Sequence, residues 1–511
     1  MGLALLLAWV TDAFAAGFRL ERVIGGLNYP VAVAQAPGET HAIYIAELVV
    51  GDANQRSSRL GRILRYDLLA KTTNVFLDLS TLVAPNGFNS LLHFAFHPDY
   101  GTNGKFYVAY QFIGTTNTAR LAEYKVIAGM PIFQRTILEH DIVNGSGHVI
   151  NMALFKPGGD PNHLYITVGD GALQASAAAY LTNRPQNLAF NYGKILRVDV
   201  SDGLDDYPGD PRKNFGIPAI NTAAIDPSGR NGEVIASGFR NPWRAGFDPL
   251  YGDLYVGDNG MDSAEEVDFI KENVFYPASV EIPDYGWPAT EAIYSPVPGA
   301  NAFVQSLPAN PASIFPILSR THATLPAGFN VPKDGDNSVI GGVVYRGPIT
   351  EFYGKYIYAD FVAARIYRFE FDRSTGPTLF HGNNVANLTE ISTQLKATLP
   401  GAILNKPVSF YADTVGDLYI VEYGLNSAAK KGIVYKVVAV PLTPTLSQST
   451  YTGGQFRVAV TGAAGEQYAV EMSTNLLDWT VTATEKSPFI HTDTTAASAP
   501  YRFYRARHKP Q

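Results

Sequence analysis

Short runs of alternating apolar and smaller or polar positions, each centred on an aromatic residue, recur along the chain. Six are alike: Ile43-Tyr44-Ile45, Phe106-Tyr107-Val108, Leu164-Tyr165-Ile166, Leu254-Tyr255-Val256, Tyr356-Ile357-Tyr358 and Leu418-Tyr419-Ile420. A period of two predicts β-strands with a buried face rather than helices. Most copies follow a Gly, Asn or Asp turn, and the spacing leaves room for a four-stranded sheet per copy. Six such units predict a six-bladed β-propeller. The two widest intervals, Tyr165 to Tyr255 and Tyr255 to Ile357, predict long insertions, and loops of that length on a rigid scaffold usually carry function.

The pattern changes after Tyr435-Lys436-Val437-Val438, where Pro441-Leu442-Thr443-Pro444-Thr445 reads as a linker. Beyond it Phe456-Arg457-Val458-Ala459-Val460, Tyr468-Ala469-Val470-Glu471-Met472 and Tyr501-Arg502-Phe503-Tyr504-Arg505 alternate as strands do. The expected fold class is all-β: a propeller over residues 17–439, a linker over 440–446 and a small immunoglobulin- or fibronectin-like β-sandwich over 447–511. The sandwich carries no recognisable chemistry and reads as an attachment or display module.

Composition supports this picture: 29 Tyr and 28 Phe suit half-buried strands, and 47 Gly and 33 Pro suit tight turns. A net charge of −7 leaves no basic excess for nucleic acid. Leu3 to Val10 form an apolar run before Ala13-Phe14-Ala15, so residues 1–16 read as a signal peptide and predict a secreted or periplasmic protein. That run is too short to be an integral membrane segment. With no Cys, the chain excludes disulfides, zinc–thiolate sites, iron–sulfur clusters and covalently attached c-type haem.

Five ordered segments between them carry a family resemblance: Leu91-Leu92-His93-Phe94-Ala95-Phe96-His97-Pro98, Gly193-Lys194-Ile195-Leu196-Arg197, Gly238-Phe239-Arg240-Asn241-Pro242-Trp243-Arg244, Gly257-Asp258-Asn259-Gly260 running on to Glu265-Glu266-Val267 and Tyr285-Gly286-Trp287-Pro288, and Gly341-Gly342-Val343-Val344-Tyr345-Arg346-Gly347. In this order they resemble the glucose/sorbosone dehydrogenase family, six-bladed propellers that use pyrroloquinoline quinone (PQQ) to oxidise aldoses. The resemblance spans roughly residues 25 to 438.

It implies roles for particular residues. His148, seven positions before Phe155, stands where the family has its base, and Asp170 in Gly169-Asp170-Gly171 would orient the imidazole. Arg240 and Asn241 would polarise the quinone oxygen, with Asn259, Gly260 and Lys406 also at the cofactor. The carbonyls of Gly260 and Met261 would hold calcium, and Asp258, Glu265, Asp334 and Asp336 are further candidate ligands. His93 and His97 read equally as packing or turn residues. Two departures stand out. His148-Val149-Ile150-Asn151 replaces the family's His-Asn-Gly-Gly, which predicts a narrower cavity, and Lys406-Pro407-Val408 replaces a late arginine pair, which lessens the bidentate grip on carboxylates.

The leading expectation is therefore a PQQ-dependent dehydrogenase with a small sugar substrate, a bound calcium and an external electron acceptor. Two alternatives stand beside it. One is a calcium-stabilised propeller that binds a glycan or protein without redox chemistry. The other is a propeller lactonase or related hydrolase, which needs carboxylates such as Glu47, Asp258 and Glu265 to converge.

Overall fold

The computed structural model describes residues 17–509 apart from 50–59, 84–90, 114–116, 143–146, 172–183, 222–230, 273–281, 293, 297–302, 306–312, 323–332, 375–383, 425–430, 441–442 and 463–465. The signal-peptide reading of residues 1–16 falls outside this set. Among the described residues the helices are short, as at Tyr100–Asn103 and Ser392–Ala397, and none is long and apolar enough to cross a membrane.

Six four-stranded sheets follow one another along the chain. Their first strands are Pro30–Ala34, Leu91–Phe96, Ile150–Phe155, Pro242–Phe247, Val339–Val344 and Pro407–Ala412. Their second strands, Ala42–Val49, Lys105–Ile113, His163–Val168, Leu254–Asp258, Tyr356–Asp360 and Leu418–Gly424, each contain one of the six aromatic repeats. The repeat is thus one fixed position in every blade. Successive first strands touch one another, and the sixth touches the first, which closes the ring. The sixth sheet is completed by Gly17–Leu27 beside Lys431–Val440, so the start and end of the propeller sequence share one blade.

The apolar faces of neighbouring blades make the core. Val149, Ile150, Leu164, Ile166 and Leu196 pack with Tyr107, Ala109 and Leu121 between the second and third blades. Ile195, Ala236 and Tyr165 pack with Ala245, Phe247 and Val256 between the third and fourth. Val149 and Ile150 are therefore core residues, and the narrowing of the cavity predicted from their bulk does not occur through them.

Every blade repeats one irregularity. The pairing of first and second strands shifts register at the second residue of the first strand: Val31, Leu92, Asn151, Trp243, Ile340 and Val408 are each skipped. Such a bulge leaves a backbone carbonyl outside the ladder, and a buried carbonyl needs a partner. Arg244 supplies most of them. Its Nη2 donates to the carbonyls of Val31 (3.0 Å) and Leu92 (2.9 Å), and its Nη1 to those of Asn151 (3.1 Å) and Trp243 (3.0 Å). The indole of Trp243 donates to the Val408 carbonyl at 3.4 Å. Two adjacent side chains thereby tie the bulges of five blades together.

The chain divides into two compact units. One comprises Glu21–Arg346 and Gly354–Lys436; the other contains Val437–Gln511 together with Gly347–Tyr353 and the chain up to Leu20. In the second, Thr445–Thr452, Gln455–Thr461 and Phe489–Asp493 form one three-stranded sheet, and Thr480–Lys486, Gln467–Ser473 and Phe503–His508 another. Leu446, Val460 and Phe489 of the first meet Tyr468, Val470, Ala483, Tyr504 and Ala506 of the second in a small shared core.

Arg244 is 3 % exposed, and burial lowers its pKa to about 9, so it stays charged at neutral pH while carbonyl oxygens compensate it. Replacing Arg244 by Met keeps an unbranched stem, removes every donor and strands four buried carbonyls. We expect a loss on the order of 3 kcal/mol or more, read as a lower melting temperature, whereas Lys, with three donors, recovers part of it.

Candidate functional site

The loops at one end of the third and fourth blades converge on a polar network. His148 precedes the first strand of the third blade, and Asp170 follows its second strand. Their side chains meet, Nδ1 of His148 lying 2.8 Å from Oδ1 of Asp170. Gly169 allows this approach: a Cβ there would stand 2.8 Å from the Cβ of His148. The other carboxylate oxygen of Asp170 accepts the indole N–H of Trp287 at 3.0 Å. The pair is largely shielded, with side-chain exposures of 12 % for His148 and 4 % for Asp170.

The backbone N–H of Asp170 donates to the carbonyl of Arg240 at 2.7 Å, which brings the start of the fourth blade against the pair. The backbone N–H groups of Arg240 and Asn241 donate to the two oxygens of Asp258 at 2.9 and 2.6 Å. The guanidinium of Arg240 donates to the carbonyls of Asn259 (2.9 Å) and Gly260 (2.7 Å) and lies 5.7 Å from the Trp287 ring. Among the described residues no carboxylate forms an ion pair with this guanidinium, although its charge acts on the nearby carboxyls of Asp258 and Glu291. Asn241 accepts from Asn151 at 2.8 Å and donates to Asn259 at 3.2 Å, which fixes its amide.

Other expected site residues have structural partners. Glu265 is 2.7 Å from His322 and accepts the Val339 N–H at 2.8 Å. Asp336 meets Arg320 at 2.7 Å and the Tyr367 hydroxyl at 2.9 Å, and Asp334 pairs with Arg320 at 3.1 Å. The amide of Met261 donates to Glu291 at 2.6 Å, an oxygen that also accepts from Asp262, Ser263 and Ala264. Lys406 lies over the Phe361 ring at 4.9 Å and donates to the Val362 carbonyl at 3.4 Å; no contact joins it to the His148 network. Glu47 pairs with Arg62 inside the first blade, so it does not converge with Asp258 and Glu265. His97 accepts the Asp99 N–H at 3.0 Å as a turn residue, while His93 is buried and its pKa falls well below the usual range through burial and then through Arg244.

A different trio of carboxylates does come together. Asp258, Glu266 and Asp268 are buried, with one oxygen of each within 4.8 Å of the others. Both oxygens of Asp268 are buried without a hydrogen-bond partner. Burial pushes Asp258 up to about 7, and burial with mutual repulsion holds Glu266 and Asp268 well above the carboxylate range. Oxygen-only donors gathered in this way suit a hard cation such as calcium. Strand parity explains why the sequence pointed to Glu265 instead: on Ala264–Ile270, Glu266 and Asp268 share one face and Glu265 points to the other.

Comparison with known proteins agrees with this architecture. The sequence profile of the Glucose / Sorbosone dehydrogenase family matches residues 55–374, more than half of the chain. The HIPL1 protein of Arabidopsis thaliana is 27 % identical over 410 residues, covering 68 % of this chain and 53 % of that protein. The Hedgehog-interacting protein of Homo sapiens is 29 % identical over 256 residues, covering 45 % and 32 %. The chain thus spans about half or less of the length of these relatives. The crystal structure of the soluble aldose sugar dehydrogenase of Escherichia coli in its apo-form superposes with a TM-score of 0.56 at 16 % identity, covering 83 % of this chain and all of that one, which shows a shared fold. On the propeller, the ordered segments and the profile match together, the chain belongs to the glucose/sorbosone dehydrogenase family.

Proposed function

We propose that the protein is a secreted PQQ-dependent dehydrogenase that oxidises an aldose or related sugar to its lactone. The observation that carries this reading is the shielded His148–Asp170 pair beside Arg240, a buried guanidinium that donates to the backbone carbonyls of Asn259 and Gly260. A tricarboxylate quinone suits such a donor set: Arg240 and Asn241 would face it, with Asn259 and Gly260 beside them, while Lys406 would have to leave the Val362 carbonyl to reach it. PQQ, when bound, supplies the two-electron acceptor for the hydride of the sugar's anomeric carbon.

The chain's own residues supply the rest. With Nδ1 turned to Asp170, Nε2 of His148 is the nitrogen that takes the proton of the anomeric hydroxyl. Asp170 holds the ring and stabilises the imidazolium that results. Arg240 and Asn241 stabilise negative charge that develops at an oxygen placed against them. Calcium would be held by Asp258, Glu266 and Asp268, a buried set of carboxylate oxygens that suits a hard cation. Secretion rests on residues 1–16, and reduced cofactor would pass its electrons to an external acceptor.

A second reading has support of its own. The Gly260 carbonyl, a calcium ligand by resemblance, is taken by Arg240, and Lys406 rests on Val362. A propeller that binds a glycan or protein without redox chemistry accommodates both contacts, and a relative over part of the chain is named for interaction. The hydrolase reading loses support because Glu47 is committed to Arg62.

Two measurements test these claims. Protein reconstituted with PQQ and calcium should reduce an artificial dye in response to at least one aldose, and His148→Ala should lower that rate by about 10²–10⁴-fold. A folded protein that reduces no dye with any sugar selects the binding reading. For calcium, the folded state of the chelated protein retains protons that the unfolded chain releases above about pH 4, so its stability falls as pH rises from about 4 through about 7. Asp268→Asn should flatten that decline. Calcium should raise the melting temperature of the parent protein at pH 8 and leave the variant unchanged; an equal rise in both removes the ion from this trio.

A further inference from the structure

We propose that Trp287 is the positioning residue of the His148–Asp170 pair: its indole N–H fixes the rotation of the Asp170 carboxyl, and so decides which atom of residue 170 faces the imidazole. The catalytic consequence rests on reading His148 as the base; the positioning itself does not.

Trp287 is 4 % exposed, and its Nε1 donates to Oδ2 of Asp170 at 3.0 Å while Oδ1 meets Nδ1 of His148 at 2.8 Å. An indole nitrogen donates and never accepts. Whatever stands at the Oδ2 position must therefore present a lone pair. The indole is itself held on the same framework as the pair. Its backbone N–H donates to the Gly238 carbonyl at 2.9 Å, and Gly238 packs so tightly that a Cβ would stand 2.1 Å from Oδ1 of Asp284. Arg240, two residues on from Gly238, accepts the Asp170 N–H and places its guanidinium 5.7 Å from the indole. The segment that anchors the Trp287 backbone thus also carries the cation beside the site.

An ionised carboxylate offers acceptors in both directions, so its orientation is invisible in the parent protein. An amide exposes it. In Asp170→Asn, Trp287 requires the amide oxygen on its own side, which turns the NH2 toward His148. Nδ1 must then accept, and the imidazole proton moves to Nε2, the nitrogen needed as base. Removing the indole donor with Trp287→Phe while keeping an aromatic ring lets the amide turn over, give its oxygen to Nδ1–H and restore the original tautomer. The double variant is therefore better than the single one.

The test is ¹⁵N NMR of histidine-labelled protein, with His148 assigned by its loss in His148→Asn, on the parent, D170N, W287F and D170N/W287F chains. The expected tautomers are Nδ1–H in the parent and in W287F, Nε2–H in D170N, and a return to Nδ1–H in the double variant. Dye reduction should follow, falling on the order of 10⁴-fold in D170N, as for an inverted triad tautomer. It should recover about tenfold or more in D170N/W287F, a coupling of opposite sign to additivity. An Nδ1–H tautomer in D170N, or an Nε2–H tautomer that persists in the double variant, overturns the proposal. The expected tautomer series in a protein that oxidises no sugar supports the role of Trp287 and removes the dehydrogenase reading alone.

Discussion

A propeller sets the first strands of its blades side by side around an axis, and here each of those strands carries a bulge that turns a carbonyl away from its own ladder. Carbonyls gathered in a buried place repel one another and must be given donors. One guanidinium meets four of them, and the neighbouring indole a fifth. Arginine suits the task because its planar fork presents several donors in fixed directions, and carbonyl dipoles can compensate its charge without a carboxylate. The blades are thereby held at a common depth, and the loops that leave them at the site inherit that alignment. Asn151 links the two regions: its carbonyl accepts from Arg244, and its side-chain amide donates to Asn241.

The site lies at the seam of the third and fourth blades, and its parts differ in how they are stabilised. His148 and Asp170 face each other with the Trp287 indole on the second carboxylate oxygen, the Arg240 guanidinium is held by backbone carbonyls, and Asn241 by neighbouring amides. Glu265, Asp334 and Asp336 are matched instead by His322 and Arg320. The second kind serves the fold, and the first kind is the set to which the proposed chemistry is assigned. Asp258, Glu266 and Asp268 belong to neither group, because three buried carboxylates without a cation need protons or a metal ion.

Much of this was legible in the sequence where contacts are local. The aromatic repeats marked the second strand of each blade, because strand alternation and turn residues act over a few positions. The family resemblance paired His148 with Asp170, and the structure sets them at the two ends of a single hairpin, 2.8 Å apart. Long-range relations were not legible. Nothing near Arg244 indicates that its partners are Val31, Leu92 and Asn151. Val149 and Ile150 looked like obstructions beside the base, and only the neighbouring blade shows that they fill its interface. Trp287 stood in a motif without a role until the distant Asp170 came within 3.0 Å of it.

In the proposed reading the Arg240 side of the His148 pair seats PQQ. The most direct measurement is a spectrophotometric titration of the purified protein with PQQ, carried out with calcium and after chelation, on the parent chain and on Arg240→Leu. Saturable binding to one site per chain that weakens by at least about tenfold in the folded variant is expected. Parent protein that leaves the PQQ spectrum unchanged, or a variant that binds as tightly as the parent, contradicts that reading.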